Sequence, residues 1–167
     1  MSANQDLQSI ATGKPAAAGD FLLQRRYRLV APWLPDGCDR LLDFGCGNGA
    51  QTLLFAEHAR MICGLDISDA FLEEFRSRAV ELGLSDRFEA LHYDGRVIPA
   101  DDGAFDCLTS FEVLEHVPHE SQALAEMHRV LAPGGRLIIT VPNRWWIFET
   151  HGADLPILPW NRVPFFS

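Results

Sequence analysis

No apolar run in this 167-residue sequence approaches the roughly 20 residues needed to cross a bilayer. The opening stretch "MSANQDLQSIATGKPAAAG" lacks the basic and apolar regions of a signal peptide, so residues 1–19 read as a flexible tail and the cytoplasm as the compartment. Cys38, Cys46, Cys63 and Cys107 contain no CxxC pair and no metal-ligand spacing, which predicts reduced thiols and no disulfide framework. Basic clusters are scarce too. The net charge is -9, and "RRYR" (25–28) is the densest cationic run, so no electrostatic surface for nucleic acid is expected. No GxSxG, P-loop or HExxH motif occurs, which removes the commonest hydrolase and phosphate-transfer readings. Internal repeats and low-complexity blocks are missing as well. With 47% hydrophobic and 22% charged residues, the composition is that of one globular domain, placed at residues 20–143 and followed by an aromatic-rich segment at 144–167.

What is present is alternation. "DFLLQRRYRLV" places Phe21, Leu22, Leu29 and Val30 among arginines, predicting an amphipathic helix that ends near Pro32. Strands are predicted at 40–44, 61–67, 88–94, 105–111 and 136–142. Helices are predicted between them at 49–59, 68–83 and roughly 121–131. The second of these opens on Ser68 or Asp69 as a cap, carries Phe71, Leu72, Phe75, Ala79 and Leu82 as its stripe, and stops at Gly83. Five strands separated mainly by helices predict an α/β fold with a doubly wound, mostly parallel sheet covered on both faces.

The stretch "LLDFGCGNG" (41–49) runs a strand into Gly45, Gly47 and Gly49. Side chains there would push away a ligand lying on the turn, or forbid the dihedrals the turn needs; a turn serving only helix–strand packing is the alternative. A dinucleotide-binding GxGxxG would carry its third glycine one residue later, where Ala50 stands. Asp66, at the end of the second strand, fits a carboxylate accepting hydrogen bonds from both hydroxyls of a ribose, with helix capping as its alternative. Together these features predict a nucleoside-bearing ligand across the carboxyl ends of the first two strands.

"LLDFGCGNG", Asp66 in "GLDIS", "YDGRVIPADDGAFDCLTSFEVLEHV" and "LAEMHRVLAPGGRLIITVPN" together resemble the class I S-adenosylmethionine-dependent methyltransferases, small-molecule branch, over about residues 40–143. The resemblance implies a Rossmann-like methyltransferase fold and S-adenosyl-L-methionine as cofactor. It implies that Asp43 helps hold the methionine ammonium and that the three glycines pass beneath the methionine and ribose. It places Asp66 on the ribose hydroxyls, Ile67 against the adenine, Asp94 facing the adenine amino group and Gly95 at the bend around the base. Phe111, often a small polar residue in relatives, contributes its backbone carbonyl. Methyl transfer is an in-line displacement in which positioning supplies most of the rate, and no metal is needed.

For an acceptor hydroxyl or amine, Glu112 and His116 in "EVLEHV" and His151 are the candidate general bases. Glu112 also fits a cap of the short helix after strand four, and His116 a packed histidine. "HVPH" (116–119) has no third ligand for a metal, while His58, His92 and His128 read as surface or packing positions. Trp145, Trp146, Phe148 and Trp160 follow strand five, either as a lid over a small-molecule or lipid-like acceptor or as packing residues. No antiparallel pair follows strand five, as it does in the family, so its free edge is an expected site of self-association. A methyltransferase acting on a small-molecule or lipid-like acceptor is the expected function. The rivals are a domain that binds the cofactor without turnover and, third, an NAD-dependent oxidoreductase.

Overall fold

The structure, a computed structural model, describes residues 21–141. Helix α1 (Phe21–Val30) leads through a 3-10 turn (Ala31–Trp33) into β1 (Cys38–Phe44). Then follow a 3-10 turn (Thr52–Phe55), β2 (Ala59–Asp66), α2 (Asp69–Glu81), β3 (Phe88–His92), β4 (Phe105–Phe111), a 3-10 turn (Leu114–His116), α3 (Glu120–Val130) and β5 (Leu131–Thr140). The strands form one sheet in the order β3-β2-β1-β4-β5, and all four pairings are parallel. The order reverses beside β1, so the carboxyl ends of β1 and β4 flank the crevice where open sheets of this kind receive ligands.

Burial explains the strands. Leu41–Phe44, Ile62–Asp66 and Cys107–Phe111 are buried at every position, the mark of strands covered on both faces. On one face Leu42, Phe44, Leu65 and Leu108 pack against Ala123, Met127 and Val130 of α3. On the other, Leu41, Ile62, Cys107 and Phe111 pack against Val30 and Phe55. Phe75 and Leu72 of α2 close a smaller cluster with Cys46. All four cysteines are unpaired and buried, and burial pushes the thiols of Cys38 and Cys63 up to about 11.

Helix α2 forms as its ends dictate. Ser68 Oγ accepts the Phe71 amide at 3.3 Å, and Gly83, at φ +67°, lets the Gly83 and Leu84 amides reach back to the carbonyls of Val80 and Ala79. Leu82, expected in its stripe, is the exposed C-cap instead.

Two further expectations are corrected. The predicted helix over 49–59 is only the turn Thr52–Phe55, because Gly49 sits at φ +76° and β2 already begins at Ala59. The span holds i→i+3 bonds from the amides of Leu54, Ala56 and His58. No α-helix dipole therefore supports the glycine turn. In α1 the inward residues are Leu23, Tyr27 and Val30, whereas Phe21, Leu22 and Leu29 are exposed. Tyr27 sets that rotation: its ring packs beside Phe55 and its hydroxyl meets His58 Nε2 at 3.0 Å.

β5 pairs through Arg136–Thr140, after an irregularity at its start, and forms one edge of the sheet with Leu137 and Val141 exposed. The expected lack of a closing antiparallel pair, and the aromatic segment from Trp145, concern positions outside the described residues. Among the described residues no helix is long and apolar enough to cross a membrane.

Candidate functional site

Asp43 stands at the centre of the carboxyl edge, opposite Gly64 of β2 and Thr109 of β4. It is 2% exposed, and both carboxylate oxygens are engaged: Oδ2 accepts the Thr52 hydroxyl and Oδ1 accepts the Thr109 hydroxyl at 2.9 Å. Burial pushes its acid up to about 6, while the two hydroxyls and the Arg26 guanidinium pull the other way. Arg26 reaches in from α1, its guanidinium carbon 5.6 Å from the centre of the Phe111 ring. Sequence reasoning missed Thr52, Thr109 and Arg26 as neighbours of Asp43. Thr109, like Ser110 a polar residue inside the fully buried "CLTSF", carried the available signal.

The three glycines divide their labour. All have positive φ, at 78°, 52° and 76° for Gly45, Gly47 and Gly49. A Cβ on Gly45 would collide with the methyls of Val113, and one on Gly49 with the ring of Phe75, so protein packing already claims those spaces. A Cβ on Gly47 would meet nothing within 4 Å, so Gly47 is the open position of the turn. Its amide donates to Asp66 Oδ2 at 2.8 Å, while Asp66 Oδ1 accepts the Ser68 amide at 2.9 Å. Asp66 thereby ties the glycine turn to the end of β2. Burial raises its acid, against the backbone amides that favour the charged form. Asp66 thus organises the entry to α2 through the Ser68 amide, the role its helix-capping alternative foresaw. Ile67, next in the chain, packs on the large core cluster.

Asp94 is exposed at the loop after β3, where Oδ1 accepts the amides of Arg96 and Val97 at 2.8 and 2.9 Å. Those amides hold its acid below the usual carboxylate range. Gly95, next in the chain, lies in the left-handed region at φ +82°. Phe111, the last residue of β4, is buried, and Glu112 after it is the one non-glycine among the described residues with positive φ, +56°. The short turn that follows has Val113 as its N-cap and no side-chain cap. His116 lies on that turn, half-exposed, with Nε2 3.9 Å from Glu115 Oε1. His151 and the four tail aromatics fall outside the described residues.

Orphaned polar atoms mark the same edge. Both side-chain polar atoms of Gln51, just past the glycine turn, are buried without a hydrogen-bond partner among the described residues. So are Ser110 Oγ near the end of β4 and Thr140 Oγ1 at the end of β5. Buried polar groups are normally paired.

The sequence profile described as "Methyltransferase domain" matches residues 42–139, more than half of the chain. The chain belongs to the methyltransferase domain family. The domain is 32% identical over 149 residues to the protein named "Probable S-adenosylmethionine-dependent methyltransferase" of Mycolicibacterium smegmatis, covering 88% of this chain and 55% of that one. It is 33% identical over 125 residues to the ubiquinone biosynthesis O-methyltransferase of Nitrosococcus oceani, covering 72% and 52%. Among solved structures it resembles SpnF, a [4+2]-cyclase, with TM-score 0.67 and 32% identity over 80% of this chain and 54% of that one. The methyltransferase domain thus spans about half the length of the relatives it matches.

Proposed function

We propose that this chain binds S-adenosylmethionine along the carboxyl edge of β1, β2 and β3 and transfers its methyl group to a small-molecule or lipid-like acceptor by in-line displacement. The carrying observation is Gly47: an open backbone position, held by Asp66, at the tip of the central strand. The residues present fit such a cofactor. Gly47 leaves room for a ligand on the turn, and Asp66 has acceptor capacity for ribose hydroxyls. Asp43 supplies the charge opposite a methionine ammonium, and the buried amide of Gln51 offers a donor and an acceptor without partners among the described residues. Ile67 packs against the adenine, Asp94 faces its amino group, and Gly95 and the Phe111 carbonyl complete the contacts.

When bound, the cofactor supplies a methyl group on a sulfonium, already activated for displacement. The chain's own work is to hold that group in line with the acceptor and to keep the surrounding charges fixed. Glu112 is the base we favour for an acceptor proton, because its strained backbone is the kind of feature that active sites retain. His116 is the alternative. Net charge -9 supports an acceptor other than nucleic acid.

The likeness to a cyclase keeps cofactor binding without methyl transfer as the second reading. One pair of measurements separates the two. Titration calorimetry with S-adenosylhomocysteine should show saturable, one-to-one binding, and methyl transfer from labelled S-adenosylmethionine to a panel of phenols, quinols and polyketide alcohols should show turnover. Binding without turnover on any acceptor favours the second reading; no binding by folded protein removes both.

A further inference from the structure

The connection from β3 to β4 contains no α-helix, so the backbone of residues 93–104 must find its hydrogen bonds elsewhere. It finds them on α3. Arg129 Nη1 donates to the Ala100 carbonyl and to Asp102 Oδ1, both at 2.8 Å, and Nη2 donates to the Ile98 carbonyl at 2.9 Å. Glu126 grips the same guanidinium through both oxygens, at 2.9 and 2.7 Å, while its Oε2 also accepts the Ile98 amide at 2.9 Å. The Arg129 carbonyl accepts the Gly103 amide, and Gln122 Nε2 donates to the Arg96 carbonyl at 3.2 Å. Ile98 is thus held by both of its backbone groups, and its side chain is 1% exposed in the core.

The Arg129 and Glu126 contacts end at Ile98, one residue past Val97, while Gln122 holds the Arg96 carbonyl, which shares a peptide unit with the Val97 amide that orients Asp94. Val97 and Arg96 donate to Asp94 Oδ1, and Val97 is bonded to the pinned Ile98. A carboxylate whose first oxygen is fixed by two amides presents its second in a set direction. We infer that Arg129 and Glu126 are positioning residues that fix the aim of Asp94 and so set the preference for an amino-bearing purine at the far end of the cofactor site. The inference rests on the proposed reading that Asp94 faces the adenine amino group. The two side chains touch neither cofactor nor acceptor in that reading; they act through Ile98 and Val97.

The test compares S-adenosylhomocysteine with S-inosylhomocysteine, which carries a carbonyl in place of the amino group, by calorimetry on the full chain. Swapping donor for acceptor opposite a carboxylate should cost the unmodified protein at least about tenfold in affinity. In Arg129→Met that preference should shrink to within about threefold. Glu126→Gln keeps the side chain's shape and should shrink it too; it carries the comparison where Arg129→Met does not fold. A role confined to stability would lower the melting temperature and shift both affinities together, so a folded variant that keeps the tenfold preference overturns the inference. Equal binding of both compounds by the unmodified chain would defeat the reading of Asp94, and the inference with it. Binding of neither would instead defeat the cofactor assignment on which both stand.

Discussion

The centre of the carboxyl edge, at β1 and β2, and its flanks, at β3 and β4, are built by opposite means. At β1 and β2 the acids face inward: Asp43 and Asp66 are buried, and their oxygens are occupied by hydroxyls and backbone amides of the protein. At β3 and β4 the corresponding features face outward: Asp94 is exposed, Gly95 bends the chain, and Glu112 sits at positive φ. The same residue type therefore has opposite electrostatics at the ends of neighbouring strands of the sheet. Burial raises Asp43 and Asp66, whereas loop amides lower Asp94. The centre is a rigid floor whose geometry is over-determined by packing. The flanks are a reading edge, and at the β3 end we infer that its precision is supplied from α3.

The glycines test the floor most severely. Gly49→Ala would drive a methyl into Phe75 while forcing an L-residue to φ +76°, two independent penalties. Their sum is about 3–5 kcal/mol, enough to unfold a marginal domain. Gly47→Ala at φ +52° meets open space and should cost only about 1–2 kcal/mol in stability. Its effect should appear in cofactor affinity instead. Urea unfolding and calorimetry on the two variants check this; a Gly49→Ala protein as stable as Gly47→Ala would show that the floor is not packed as described.

Much of this floor was legible in the sequence. Continuous apolar runs at β1, β2 and β4 announce strands buried on both faces, and "GCGNG" announces a turn that needs positive φ. Ser68 and Gly83 announce the ends of α2. The length of the element after the turn was not legible, because it is decided by where β2 begins and by the dihedral of Gly49, neither of which leaves a periodic trace in "GAQTLLFAEHA". The division of the glycines was hidden for a similar reason: Val113 and Phe75, which claim the space beside Gly45 and Gly49, lie far along the chain. The bracing of the reading edge was equally silent. Arg129 satisfies carbonyls about thirty residues earlier, and a side chain bonded to backbone imposes no residue type on its partner.

Asp43 sharpens the contrast through pH. Its folded acid lies at about 6 against an ordinary 3.8, so folding favours the protonated form. The stabilisation is complete below pH 3.8 and is lost as pH rises through about 6. The full difference is about 3 kcal/mol, of which about half is present at pH 5. Asp43→Asn removes this dependence. Asp39, Asp94 and Glu126, whose acids are lowered, act with the opposite sign but are common to both proteins and cancel in the difference. Unmodified protein should therefore gain stability relative to the variant between pH 7.5 and pH 5 in urea titrations. A difference that stays constant would mean that Asp43 is not desolvated. If Asp43 faces the methionine ammonium as proposed, cofactor affinity should fall over the same interval, as that charge is neutralised.

The smallest effect belongs to the reading edge. Glu112 carries the cost of a left-handed backbone without a packing reason that would demand it, and its amide donates to the Thr140 carbonyl at 3.0 Å, which glycine can also do. Glu112→Gly should relieve about 1–2 kcal/mol of strain and return up to about 1 kcal/mol of it through the freer unfolded chain. The net expectation is a gain of about 0.5–1 kcal/mol in unfolding free energy. If Glu112 accepts the acceptor's proton, turnover falls while the affinity for S-adenosylhomocysteine is unchanged. A variant that is both more stable and fully active would make the strain a property of the turn alone, and would shift the assignment of the base to His116.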